Sequence, residues 1–411
     1  MSRTILGLDV GTAQIKAVVA EPLRNGGVKI CEAIKVPSQG VRRGEVVDIE
    51  EVAHALKEVF TPVKERYKSS LREIFVNIGG PHTNVHNSRG VIALSREDNE
   101  IYQTDVEKVI KGSQDSVASP NRAIIHTETK EFTVDAISGI TDPVGLVGRR
   151  LEVHSLMVDV FTPFLKNISQ SIELVGGELA GILFGTIAAS RAVLTKKQRE
   201  LGVVFLDVGA GTVNMSVYEE NKLLHAKVFP FGALNVTNDL AMGFKISVAA
   251  AENLKLHYGS AFARLVPARE MIDLANFDSN AKNEIGRKYA SEIIEARLAE
   301  IFECVNNELK YIGKAGQLPG GIILVGGGAK LPGIVELAKQ ELKLSAQIGA
   351  VFSQQLEVED DHLRGVVTDP EFACAIGLVM WGKELANKGS NRIFVRLKDN
   401  PMRNMIRYFL P

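Results

Sequence analysis

Cysteine is scarce in this chain: Cys31, Cys304 and Cys374 are the only three among 411 residues. They are odd in number, far apart and in no metal-ligating spacing. That excludes a disulfide framework and a zinc module, and it fits thiols kept buried and reduced in a cytoplasm. Long apolar runs are missing too. No stretch of eighteen apolar residues occurs, so no helix is expected to span a bilayer. Neither sign of charge dominates. The formal net charge is −1, which gives no overall field to attract nucleic acid. A signal peptide is not expected, because a strand-like run begins at Ile5. Any membrane attachment is therefore expected to be peripheral.

What is present is an ordinary globular composition, 45% apolar and 24% charged, at a length that suits two or more domains. The pattern Leu-Asp-Val-Gly occurs twice after apolar runs, at Ile5–Thr12 and at Val203–Thr212. The copies lie about 200 positions apart, the separation of two domain-sized halves rather than of a tandem repeat. Each reads as strand, glycine turn, strand. Such a turn aims backbone N–H groups into one concavity that suits phosphate oxygens. A carboxylate at the end of the first strand is placed for a phosphate-bound Mg²⁺ or its waters. Asp9 and Asp207 are the metal candidates; the plainer alternative is an aspartate capping its own turn. Gly11, Thr12, Gly209, Gly211 and Thr212 are expected to contact phosphates. Gly232 and Lys16 are further candidates. A third element, Gly320–Gly333, is an apolar strand ending in Gly326-Gly327-Gly328, where a flat ring could approach the backbone.

These three elements, in this order, resemble the phosphate 1, phosphate 2 and adenosine motifs of the actin-like ATPase superfamily. The segment Ala251-Glu252-Asn253-Leu254-Lys255 resembles its adenosine-side helix. Glu252 and Lys255 share a helix face, and a surface ion pair is the alternative reading. Two stretches, Gly40–Asp48 and Asp142–Gly148, are similar to segments of the FtsA family of bacterial cell-division proteins. The resemblance runs from residue 5 to the C-terminus.

It implies an α/β, actin-like fold: two ribonuclease-H-like halves around a nucleotide cleft, holding ATP and Mg²⁺. It also implies subdomain 1A at 1–82 and 161–200, an inserted small α+β subdomain of the SHS2 type (1C) at 83–160, 2A at 201–238 and 322–386, and 2B at 239–321. The short strands and polar helix of 83–160 differ in texture from their surroundings, which agrees. Helices are expected at 52–60, 183–194 and 283–312, and a strand at 74–80. Where many relatives carry Asp, this chain has Asn214. An amide is no general base at neutral pH, so hydrolysis is expected to be slow and no catalytic residue is assigned.

Residues 387–411 read as a linker followed by an amphipathic helix. Met402, Met405, Ile406, Phe409 and Leu410 fall on one helical face, with Arg403 and Arg407 beside it. Such a helix suits an anionic membrane surface, as the family resemblance also implies; docking onto the body is the alternative. Each basic residue contributes about 1 kcal/mol and a partly buried apolar side chain about 1–2. Ordering the segment costs a comparable amount, so one tail binds weakly and a row of tails binds together. The resemblance implies further partners: the C-terminal peptide of the tubulin-like protein FtsZ, a second copy in a filament, and later division proteins. Arg297 and Glu300 on the 283–312 helix are the candidates for the peptide contact, against a plain solvated face. Rival readings are a pilus-assembly ATPase of the PilM kind, a small-molecule kinase and a chaperone ATPase. No acceptor pocket or substrate-binding domain stands out for the last two.

Overall fold

A computed structural model describes residues 3–23, 27–279, 281, 283–351 and 356–387. The first sheet grows from β1 (Ile5–Val10), β2 (Gln14–Pro22) and β3 (Val28–Pro37), joined as antiparallel neighbours. A small hairpin, β4 (Val41–Arg42) and β5 (Glu45–Val46), leads to α1 (Ile49–Arg66). Asp48 caps that helix: its Oδ1 accepts the Glu50 and Glu51 N–H groups at 3.0 Å each. Val52, Leu56, Val59, Phe60 and Val63 fall on one face and are buried against the sheet. β6 (Ile74–Ile78) then pairs parallel with β1.

The inserted unit follows: β7 (Thr83–Ala93), α2 (Gln103–Val117), β8 (Arg122–Val134), β9 (Ile137–Ile140) and β10 (Arg150–Phe161). Its four strands form a separate sheet, β7-β10-β8-β9. α2 closes one face over a small core that includes Val109, Ile110, Phe132 and Leu151. The chain returns through α3 (Thr162–Leu174), β11 (Leu179–Phe184), α4 (Gly185–Val193) and α5 (Lys196–Leu201).

The second half repeats the plan. β12 (Val203–Val208), β13 (Val213–Glu219) and β14 (Lys222–Phe229) are antiparallel neighbours. Then come α6 (Ala233–Phe244), α7 (Val248–Tyr258), the short pair β15 (Met271–Asp273) and β16 (Glu284–Gly286), and α8 (Arg287–Tyr311). β17 (Ile322–Val325), α9 (Ile334–Leu342) and β18 (Ala346–Ile348) complete the sheet. The order β14-β13-β12-β17-β18 matches β3-β2-β1-β6-β11 of the first half. This doubled order is the actin-like arrangement of two ribonuclease-H-like halves.

β19 (Leu356–Val358) then joins the outer edge of β3, and α10 (Arg364–Thr368) and α11 (Ala373–Asn387) follow. α11 lies on β1 and against α4, so residues 356–387 belong to the first half. The expected grouping of 322–386 with the second half therefore includes a segment that strand pairing carries back. A Cβ on Gly377 would stand 1.8 Å from the Ala188 carbonyl oxygen, so the small residue is what lets α11 meet α4. The two helices share one core with both sheets, through Ala188, Ala189, Ile376, Phe205 and Ile323.

Several boundaries differ from expectation, and α1 runs beyond the expected 52–60 at both ends. β11 holds Phe184 in register with Ile78, so the helix starts at Gly185 rather than 183. Glu284–Gly286 pair with Met271–Asp273, which delays α8 to Arg287. β6 ends at Ile78, two residues short of Gly80. Cys31 and Cys374 are buried, but Cys304 is exposed on α8 and corrects the expectation of three buried thiols. Among the described residues no helix is long and apolar enough to cross a membrane. The linker beyond Asn387 and the seven candidate membrane residues within Met402–Leu410 lie outside the described residues.

Candidate nucleotide site

The two Asp-x-Gly hairpins have the same length and the same register. Asp9 faces Lys16 across β1 and β2, and Asp207 faces Asn214 across β12 and β13. Gly11 N–H closes one turn on Gln14 O at 3.1 Å, and Gly209 N–H closes the other on Thr212 O at 2.9 Å. These two N–H groups are therefore occupied. The N–H groups of Thr12, Ala13, Ala210 and Gly211 at the tips carry no hydrogen bond among the described residues. The tips meet: a Cβ on Gly211 would lie 2.6 Å from Thr12 Oγ1. Two concavities of N–H groups thus converge on one point, the geometry of an anion clamp.

Asp9 is 8% exposed. Its Oδ1 accepts Asn77 Nδ2 at 2.7 Å, and its Oδ2 accepts Lys16 Nζ at 3.2 Å. Asn77 Oδ1 in turn accepts the Val10 N–H at 2.8 Å. Lys16 thus sits on Asp9. Burial opposes its charge, but Asp9, Asp207 and Glu371 outweigh burial and hold its pKa above the ordinary lysine value. Asp207 is pushed up to about 6 by burial and then by the Asp9 charge, with Lys16 opposing. A second carboxylate held this close to a first, in a cleft, invites a cation. Among the described residues no three carboxylate, histidine or cysteine groups gather as a metal cage. Two carboxylates without a third donor would suit a hydrated Mg²⁺ whose remaining positions are filled by phosphate oxygens and water, and Asp9 and Asp207 are the residues that would orient that shell. Cys374 lies beside both aspartates. Burial, then Asp9 and Asp207, hold its thiol far above the usual range, so it stays neutral.

Asn214 is buried, with Nδ2 3.4 Å from Thr212 Oγ1. Its Oδ1 has no partner among the described residues. A buried amide oxygen without a partner suits a water, which it can orient but not deprotonate.

Gly232 is a packing residue. Its N–H donates to Asn235 Oδ1 at 3.0 Å, and a Cβ there would strike Gly209 O at 2.5 Å. Ala233 and Leu234 N–H groups donate to Gly209 O and Ala210 O at 2.9 Å each, so the first turn of α6 is fastened to the second tip. Glu252 and Lys255 form an i,i+3 ion pair in which the lysine is buried and the glutamate half-buried. Lys255 Nζ reaches Glu252 at 2.7 Å, Thr237 Oγ1 at 2.8 Å and Ala233 O at 3.3 Å, which ties α7 to α6.

The three glycines after β17 divide. A Cβ on Gly326 would strike Asp207 Oδ1 at 2.4 Å, and one on Gly328 would strike Val208 Cγ1 at 2.4 Å. Both let the loop lie flush on the end of β12. Gly327 alone has space, with Glu371 Oε1 3.6 Å from its Cβ position. Sequence reasoning missed Glu371 and Asn77. Glu371 accepts Lys35 Nζ of the first half at 2.9 Å and pairs with Lys330 Nζ of the second half at 3.3 Å. Asn77 had a signal: it is the one amide in an otherwise apolar strand. Glu371 had none, since its partners come from remote segments.

Arg297 and Glu300 lie on α8, away from these loops. Arg297 Nε and Nη2 hold both Asp239 oxygens at 2.5 and 3.0 Å, and Nη1 reaches Glu300 at 2.6 Å. The guanidinium is therefore engaged, while Glu300 is 63% exposed.

Residues 204–377 match the model of the family described as cell division protein FtsA, and residues 80–159 match that of the SHS2 domain inserted in FtsA. The chain is 30% identical to the cell division protein FtsA of Pseudomonas aeruginosa over 387 residues, 94% of this chain and 91% of that one. It is 33% identical to the FtsA of Borreliella burgdorferi, covering 93% and 92%. Among solved structures, the PilM–PilN type IV pilus biogenesis complex matches with a TM-score of 0.65 at 16% identity, over 92% of this chain and 98% of that one. At that identity the likeness concerns the fold alone, whereas the matches to cell division proteins run at twice the identity across nearly the whole length. With its doubled sheet, its inserted SHS2 unit and those relatives, the chain belongs to the FtsA family of cell division proteins.

Proposed function

We propose that the chain binds ATP with Mg²⁺ in the cleft, polymerises, and tethers FtsZ filaments to the cytoplasmic membrane at the division site. The observation that carries the nucleotide reading is the pair of register-matched hairpins whose tips meet, with N–H groups unpartnered among the described residues and two carboxylates behind them. Thr12 and Thr212 supply hydroxyls beside those N–H groups. Asp9 and Asp207 orient the hydrated cation, whose charge offsets the like-charge repulsion between them. Gly327 leaves room for a flat ring beside the loop. The unpartnered Asn214 oxygen orients a water without taking its proton, so ATP is held longer than it is cleaved.

The FtsZ peptide is assigned to the α6–α8 face. Phe244 and Tyr289 meet edge to face there at 5.9 Å, and Tyr289 is 57% exposed. Two to three turns further along α8, Arg297 offers a guanidinium held in place by Asp239, and Glu300 an exposed charge. The tail residues Met402, Met405, Ile406, Phe409 and Leu410, with Arg403 and Arg407, are assigned to the anionic membrane surface on their sequence pattern.

Calorimetry of ATP binding, with and without Mg²⁺, tests the nucleotide reading. Asp9→Ala and Asp207→Ala are expected to lower affinity at least tenfold in Mg²⁺ and much less in its absence. Turnover by the unaltered chain is expected to stay far below the usual enzymatic range of about 1–10³ per second. Unaltered Mg²⁺-dependent affinity in both variants would remove the assignment.

A further inference from the structure

The hairpin β4–β5 belongs to neither large sheet, yet its turn touches the glycine-turn tip of each half. Val41 pairs with Val46 and Arg42 with Glu45, so Arg43 and Gly44 form a two-residue turn. Both have positive φ, +50° and +76°. That is the type I′ pattern, in which glycine is common and arginine is not. A residue kept in this region is held there by its surroundings. Here the surroundings are the two tips of the nucleotide cleft. The Gly44 N–H donates to Thr12 Oγ1 at 2.9 Å. The Arg43 Cα stands 3.0 Å from the Cβ position of Gly211. One turn therefore meets the first tip and the second tip together, with an exposed arginine at the meeting point.

The next residue faces the other way. The Glu45 side chain is buried; its carboxylate accepts the His82 N–H at 2.9 Å and lies 2.8 Å from His82 Nδ1. Glu45 also fills the space where a Cβ on Gly80 would stand. His82 immediately precedes β7, the entry to the inserted subdomain. Its ring lies 5.1 Å from Phe164 and 6.4 Å from Phe161, at the exit. Its carbonyl accepts Arg122 Nη2 at 2.8 Å, and Arg122 is paired with Asp159 on β10. Entry and exit are thus clamped in one node. The subdomain has a second tie: Lys130 Nζ donates to Leu224 O on β14 of the second half at 2.9 Å.

We propose that this hairpin is a positioning element that carries the nucleotide state of the cleft to the orientation of the inserted subdomain. Gly44 is the input and Glu45 the output. The inference rests on the nucleotide reading given above. A phosphate entering between the tips competes for the Thr12 hydroxyl and draws on Arg43. A Cβ on Gly44 would lie 2.8 Å from Gly79 O, so the turn is wedged against the segment that leads into the subdomain. It cannot shift at Thr12 without moving Glu45 against Gly80 and His82. Lys130 holds the far side to the second half, so a small change at the tips becomes a rotation of the subdomain. Physical coupling of this kind requires an element with two arrangements that both sites bias.

The test uses the full chain with Cys304→Ser, which removes the exposed thiol, and labels at Ile137→Cys and Leu174→Cys. These positions are 68% and 63% exposed, on β9 and at the end of α3. Pulsed EPR reads the label-to-label distance with Mg²⁺ and ADP or ATP, and calorimetry reads ATP affinity on the same samples. The labelled parent is expected to bind ATP and to shift its distance distribution between ADP and ATP. Glu45→Gln, which keeps the side chain's shape, and His82→Ala, at a half-exposed ring, are each expected to bind ATP within about twofold of the parent yet lose the shift. A merely structural role for Glu45 would leave the shift in place. A parent that binds ATP without a shift, or two variants that keep it in full, would overturn the coupling alone. A parent that does not bind ATP would overturn the nucleotide reading and the coupling with it.

Discussion

Asp207 shows how its surroundings set the charge of one side chain. Its pKa is about 6, raised by burial and by Asp9, whereas an unfolded aspartate titrates near 3.9. The folded chain therefore holds more protons than the unfolded chain between about pH 4 and pH 6, and stability falls as pH rises through that window. A shift of about two units corresponds to about 2–3 kcal/mol lost by pH 7 when nothing balances the charge. Asp207→Asn is expected to stabilise the nucleotide-free protein by up to that amount at pH 7, with the gain fading below pH 4. The same variant is expected to weaken Mg²⁺-dependent ATP binding. Chemical denaturation of both proteins across pH 4–8 checks this. A gain independent of pH would mean that the carboxylate is not the titrating group.

At the level of elements, what the sequence shows depends on how local the cause is. The β1–β2 and β12–β13 hairpins are legible because strand, turn and strand are contiguous, and their shared register follows from equal loop lengths. The inserted subdomain is legible as a change of texture. The start of α8 is not, because Glu284–Gly286 are drawn into pairing with Met271–Asp273. Nor is the return of 356–387 to the first sheet, which depends on β19 finding the edge of β3. In the site, Asp9 and Asp207 are visible as motif residues, but Asn77 and Glu371 act across 68 and 336 positions. Gly232, Gly326 and Gly328 look like ligand glycines in sequence, yet their small size serves contacts within the protein. Gly377 is the sharpest such contact, since a Cβ would stand 1.8 Å from the Ala188 carbonyl oxygen where α11 crosses α4. Gly377→Ala is expected to force the two helices apart and to destabilise the protein by about 1–3 kcal/mol or more. A denaturation midpoint unchanged from the parent would show that the crossing is looser than this contact implies.

The whole molecule joins two halves through one shared core around α4 and α11, with the cleft above it and the inserted subdomain fastened to both sides. On the proposed function, such a body alters its shape with nucleotide while the core stays packed. On the proposed function the body supplies assembly, the α6–α8 face supplies the FtsZ contact, and the tail supplies the membrane contact. On the same reading a single tail binds weakly, so attachment is expected to follow polymerisation through effective concentration. Salt is expected to weaken attachment only in part, because screening removes the arginine contribution and leaves the apolar one. The most direct measurement is flotation of FtsZ filaments with anionic liposomes, in Mg²⁺ and ATP, alongside either the full chain or a chain ending at Ala386. The account predicts that the full chain carries FtsZ into the floating fraction, while the shortened chain leaves both itself and FtsZ behind. FtsZ left behind by a membrane-bound full chain, or a shortened chain that floats as well as the full one, would contradict it.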